Sequence, residues 1–157
     1  MLQRIQTIWL LISSALMSVA IFLPLVTITG MYGPCLDSSI VIRSYVIDRF
    51  ACEPYPVSAY TLCIFMALTA LLSLVIIFLF NKRKLQIKLT HYSFILKMAL
   101  LVVIAFYTYM LAGTFEDETI RPNLGTPFVV IAMIFDWLAV KAIRKDEDLV
   151  RSVDRIR

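Results

Sequence analysis

Apolar residues gather in four long windows, at about 5–25, 57–80, 92–112 and 126–143, separated by short polar or mixed stretches. A hydrocarbon layer about 30 Å thick is crossed by roughly 20 apolar residues of helix, so each window predicts a transmembrane span. Prolines fall only near window ends: Pro24 closes the first, and Pro127 sits in the first turn of the fourth, with Thr126 before it as a candidate N-cap. The first window opens with Arg4 as a secretory signal would. Its apolar run outlasts the roughly 7–15 residues of a signal core and lacks a small-x-small site before Pro24, so it reads as a retained helix.

The segment between the first two windows has a different period. Val26–Thr29 and Ile40–Ile47 are rich in β-branched residues and predict strands, the second interrupted by Arg43 and Ser44. Gly30, Gly33 and Pro34 supply the turn between them. The expected fold is therefore an all-α membrane protein, a single domain over residues 1–157. Four transmembrane helices carry a small extracytoplasmic β-sheet between helices 1 and 2 (outer loop 30–56) and a cytoplasmic C-terminal helical extension (144–157).

Composition agrees with lipid as the solvent. Hydrophobic residues make up 61% of 157 residues, against about 45–50% in soluble domains, more than one small core can hide. The net charge of +4 would suggest nucleic acid in a soluble chain, but the basic residues flank apolar windows and form no aromatic-interleaved face, so no nucleic-acid partner is expected. Arg4, the link Lys82, Arg83, Lys84 and Lys88, and the tail Lys141, Arg144, Lys145, Arg151, Arg155 and Arg157 lie on one side. The other side carries Arg43, Arg49 and Arg121 against Asp37, Asp48, Glu53, Glu116, Asp117 and Glu118. Positive charge is retained in the cytoplasm, so both termini are expected there.

Candidate chemistry is sparse. Cys35 and Cys52 share the outer loop, and a disulfide between them is the leading reading, with free thiols as the alternative; no Cys-x-x-Cys pair supports a redox centre. Cys63 lies within the second span and reads as a small packing residue. Two ionisable residues fall inside spans, Lys97 and Asp136. Their depths along adjacent helices agree to within a few Å at about 1.5 Å per residue, which predicts an intramembrane ion pair. The alternative has Lys97 snorkelling to the headgroups and Asp136 pairing with Lys141 or a helix terminus. The remaining polar residues in the spans include Ser13, Ser14, Ser18, Thr69, Ser73 and Thr108. Ser14 and Ser18 form a small-xxx-small face suited to bundle packing or to an oligomer contact.

His91 is the only histidine and sits at a span edge, too little for haem ligation. Glu116, Asp117 and Glu118 read as a solvated loop. No cluster offers three metal ligands, and the four glycines form no phosphate loop. No catalytic residue, metal or cofactor is expected. The tail places Leu149, Val153 and Ile156 at i, i+4, i+7 with Arg151 and Arg155 beside them, a stripe that must rest on the protein's own cytoplasmic face, the membrane surface or a partner.

The opening MLQRIQTIWLL, the link KRKLQIKL and the tail IRKDEDLVRSVDRIR resemble the domain-of-unknown-function family 4293, four-helix inner-membrane proteins of Bacteroidota. The resemblance covers essentially the whole chain, with the tail its most specific part. It implies a bacterial inner membrane and four helices, with no established activity and hence no functional residues to carry over. The functions that remain are a non-enzymatic accessory, scaffold or assembly subunit working with a membrane-protein partner or as a homo-oligomer, or a small oligomeric transporter or channel using Asp136 and Lys97.

Overall fold

In the computed structural model, residues 3–32, 35–44, 46–50, 57–58, 60–79, 83–113 and 116–154 are described. The apolar windows become four helices, α1 (Gln3–Ala20), α2 (Tyr60–Phe78), α3 (Arg83–Ala112) and α4 (Gly125–Asp154). Among the described residues, three are long and apolar enough to cross a membrane, over Tyr60–Phe78, Leu85–Ala112 and Gly125–Asp146; α1 has a shorter apolar stretch, Thr7–Ala20. Consecutive helices run antiparallel. α1 packs on α2 and α4, and α3 on the same two, which closes a ring.

One end of the bundle carries an antiparallel sheet. Its strands are β1 (Val26–Tyr32), β2 (Cys35–Ile42), β3 (Val46–Phe50), β4 (Val57–Ser58) and β5 (Glu116–Pro122), in the order β4-β3-β2-β1-β5. Alternate residues Val26 and Ile28 on β1, and Ile40 and Ile42 on β2, are buried. They are paired directly, Val26 with Ile42 and Ile28 with Ile40, so one apolar face of the sheet rests on the helix ends.

Several expectations are corrected. The run Ile40–Ile47 is two strands, because the chain reverses after Arg43, whose N–H donates to the Val46 carbonyl at 2.9 Å. Arg43 also forms an ion pair with Asp48 across this hairpin, and the buried Ser44 donates to the Ile21 carbonyl at 2.6 Å, tying the hairpin to the end of α1. The sheet is not confined to the connection between helices 1 and 2. Glu116, Asp117 and Glu118 belong to β5, which pairs with β1 through Thr27–Arg121 and Ile28–Ile120. Val57 starts a short strand, and the second helix begins at Tyr60. The third helix starts at Arg83 rather than near residue 92, whereas the helical extension expected after the fourth window is present as far as Asp154; α3 and α4 have 30 residues each.

Thr126 is not an N-cap. Its hydroxyl donates to the Leu25 carbonyl at 2.7 Å, and the helix already begins at Gly125. Gly125 is required by a close approach: its N–H donates to the Pro24 carbonyl at 3.0 Å, and a Cβ here would lie 2.8 Å from that oxygen and 2.8 Å from Leu25 Cδ2. The start of α4 is thereby held against the end of α1.

Candidate functional site

The bundle interior divides into layers. Toward the end away from the sheet, Leu10, Ile76 and Ala139 form a small apolar cluster. Toward the sheet, Met17, Leu62, Met66, Leu100, Ile104, Val129 and Ala132 belong to the main core. Between them in sequence on every helix lies a polar residue that is wholly buried: Ser13 on α1, Ser73 on α2, Ser93 and Lys97 on α3, and Asp136 on α4.

The side-chain geometry makes this a single network. Lys97 Nζ lies 2.5 Å from Asp136 Oδ2, 3.0 Å from Ser13 Oγ, 3.1 Å from Ser73 Oγ and 3.0 Å from Ser93 Oγ. An ammonium has three N–H donors, so four acceptors leave none unused and one bond shared. The carboxylate is equally engaged. Ser13 donates to Oδ1 at 2.6 Å, and Ser93 donates to Oδ2 at 2.9 Å beside the ammonium. Ser73 lies 3.0 Å from the Thr69 carbonyl, and Ser13 also lies 3.2 Å from the Ala132 carbonyl.

Helix periodicity explains the convergence. Ser93 and Lys97 are four residues apart and share one face of α3, while the lysine's four-carbon stem carries its charge to the bundle axis, within reach of all three other helices. Lys97 lies near the middle of the apolar stretch 85–112 and Asp136 near the middle of 125–146. Lys97 therefore does not snorkel to a helix end; it is 0% exposed. Charges at such a position persist where they are paired and hydrogen-bonded, and this pair is both.

The network combines an ion-pair contact, Lys97 with Asp136, and Ser–Lys contacts at the distances of a nucleophile–base pair. Among the described residues, no group of three or more His, Cys, Asp or Glu is placed to hold a metal ion.

The other sequence-selected residues are elsewhere. Ser14 is buried, whereas Ser18 is exposed and donates to the Ser14 carbonyl at 2.9 Å, so Ser13 rather than the Ser14–Ser18 pair joins the helices here. Cys63 is a half-buried free thiol. No disulfide occurs among the described residues; Cys52 and the Cys35 side chain lie outside them, and so does the expected Cys35–Cys52 bond. The side chains of Leu149, Arg151 and Val153 on α4 are likewise outside the described set, as are Arg155 and Ile156.

Fold and site together define a helical bundle with membrane-length apolar helices, a polar layer at mid-height and a sheet over one end. The chain belongs to the family described as Domain of unknown function (DUF4293), whose model matches residues 2–156. No curated protein matches it.

Proposed function

We propose that this chain is a multipass protein of a bacterial inner membrane, of the Bacteroidota, crossing the bilayer four times with both termini in the cytoplasm. It acts without catalysis, as an accessory, scaffold or assembly subunit whose contacts are made by its cytoplasmic face. The observation that carries this reading is the saturation of the polar layer. Lys97 and Asp136 spend their hydrogen-bonding capacity on each other and on three serines, which supports a clamp for the bundle rather than a contact site, with partner contacts on the outer surfaces. Membrane insertion is supported by the exposed perimeter, where Ile64, Leu71, Val102, Phe106 and Ile134 point away from the core. Four spans require α1 to cross with its neighbours, to which Ser13 binds it.

The partner-contact surface comprises Leu149, Arg151, Val153, Arg155 and Ile156, and the Cys35–Cys52 disulfide closes the outer loop. Affinity purification of the full chain from detergent-solubilised membranes tests the reading. It should recover a defined membrane-protein partner, or a second copy of the chain, that is lost when residues after Arg144 are deleted; a monomer with no partner would overturn it. The buried charges at mid-height support one second reading, an oligomeric transporter. Proteoliposome flux abolished by Asp136→Asn, in a variant that keeps its helical content, would favour that reading over the first.

A further inference from the structure

We propose that the α3–α4 seam, at the end of the bundle away from the sheet, binds the phosphate headgroup of an anionic phospholipid; this rests on the membrane reading above. Arg144 Nη2 lies 2.7 Å from His91 Nε2, so the guanidinium of α4 donates across the seam to the imidazole of α3. That bond occupies one of five N–H donors and fixes the plane of the fork, which leaves donors for the paired oxygens of a phosphate. One turn nearer the bundle centre, Lys141 Nζ stands 5.3 Å from the Trp137 ring centroid, a cation–π contact that holds a second positive charge on the same face. Trp137, Lys141 and Arg144 follow i, i+4, i+7 spacing and form one stripe along α4. All three are exposed, as are the flanking Lys88 and Lys145.

The chemistry below the charges selects a lipid over a soluble anion. Trp137 is 55% exposed, and Ile134 and Ile95, exposed by 51% and 60%, continue the surface toward the bundle centre. A ligand seated here meets cations at one level and bare aliphatic surface immediately beneath, the order presented by a headgroup and its acyl chains. An indole at that boundary with Lys and Arg beyond it is the arrangement favoured at a membrane interface. Of the neighbouring acids, Asp136 is buried inside the bundle and paired with Lys97, and Asp146, Glu147 and Asp148 come after Lys145 in the chain, on the side of the cations away from the apolar surface.

The test is native mass spectrometry of the full chain, extracted from vesicles of phosphatidylcholine containing about 20% phosphatidylglycerol, a composition that presents anionic headgroups at a physiological level. Wild type should retain phosphatidylglycerol in preference to phosphatidylcholine. Arg144→Gln and Lys141→Gln should each lower that retention about tenfold, the scale of one lost charge-assisted hydrogen bond. Arg144→Lys, which keeps the charge and loses the fork, should fall between them and wild type. Arg4→Gln, an equal change of net charge on α1, should leave retention unaltered. Equal losses for Arg4→Gln and Arg144→Gln would overturn the site in favour of diffuse attraction, and competition by millimolar inorganic phosphate would overturn the lipid assignment. Circular dichroism of each variant separates lost lipid from lost fold. Release of the chain from vesicles by alkaline carbonate would overturn the membrane reading, and this proposal with it; firm insertion with variant-insensitive lipid retention would overturn this proposal alone.

Discussion

Removing one member of the Lys97–Asp136 pair should be far worse than removing both. Lys97→Met leaves the Asp136 carboxylate at mid-bundle with only the Ser13 and Ser93 hydroxyls, and Asp136→Leu leaves the Lys97 ammonium with three neutral oxygens. Orphaning a buried charge costs about 3–5 kcal/mol. Unfolded chains in lipid or detergent also find polar partners, so the lower end applies: about 3 kcal/mol for each single change, a factor of roughly 150 in the folded-to-unfolded ratio. The double variant removes both charges, and two serines keep backbone acceptors already within reach, Ser13 at the Ala132 carbonyl (3.2 Å) and Ser73 at the Thr69 carbonyl (3.0 Å). It should fall within about 1 kcal/mol of wild type. The cycle should therefore give a coupling of at least about 5 kcal/mol, well above the roughly 1.7 kcal/mol maximum measured for interhelical hydrogen bonds in a membrane bundle. Charge reversal, Lys97→Asp with Asp136→Lys, should rescue less than the apolar pair, because an aspartate at 97 lacks the reach that brings the lysine to the axis. Reversible unfolding in mixed micelles can be followed by Trp9, which stacks on Phe135 at 5.4 Å between α1 and α4. Additive single and double effects would refute the coupling.

Three further outcomes follow from other contacts. Gly125→Ala should destabilise by about 1–3 kcal/mol in the same assay, since the new methyl meets the Pro24 carbonyl oxygen 2.8 Å away, and that oxygen is held by the Gly125 N–H; an unchanged midpoint would refute the close approach. Ser13→Ala should cost about 1–2 kcal/mol because Ser13 serves both charges, whereas Ser18→Ala, which loses one local bond on an exposed position, should cost less than about 0.5 kcal/mol. Maleimide should label Cys35 and Cys52 in denatured chain only after reduction if the outer loop is disulfide-closed, and labelling without reductant would show free thiols.

The helices are legible because unbroken apolar runs of about 20 residues are long enough to span a bilayer as helix, and the pair is legible because two charges in such runs have few other ways to be accommodated. Other features lacked a local signal. The β5 sequence EDETIRP has no apolar alternation, and its strand character comes from β1, a partner about 90 residues away in the chain, as in the Thr29–Thr119 register. The start of α3, through KRKLQIKL, is charged enough to look like a link, although Leu85 and Leu89 keep helical spacing and Lys, Leu and Gln favour the helix. Ser93 was the member of the polar layer hardest to single out, since hydroxyls are common in spans; its i−4 relation to Lys97 was the available clue. Arg43 marks a break in a β-branched run, and the bond from its N–H to the Val46 carbonyl, with the β2–β3 pairing that follows, turns that break into a hairpin.

The layers of the bundle also explain why a costly ion pair would be kept in an apolar setting. On the proposed membrane reading, helices already in lipid gain little from apolar contact with one another, so leucine-to-leucine packing distinguishes poorly between one register and the next. A polar layer removes that ambiguity. Sliding any helix by one turn would move its polar residue out of the layer and into the apolar clusters formed around Leu10 and Ile76 on one side or Met66 and Leu100 on the other. For α3 or α4 such a slip would separate the charges in an apolar setting at a cost of several kcal/mol. α1, with the shortest apolar stretch, has the weakest hold of its own and is joined at two heights: by Ser13 to Asp136 at mid-bundle, and by Pro24 to Gly125 where α4 begins. The β1–β5 pairing adds a third tie between the same halves of the chain, beyond the helix ends. All three join the first connection and helix to the α3–α4 half, which leaves the far end of the α3–α4 hairpin with its positively charged surface, held there by the Arg144–His91 bond, as the face least engaged in holding the bundle together.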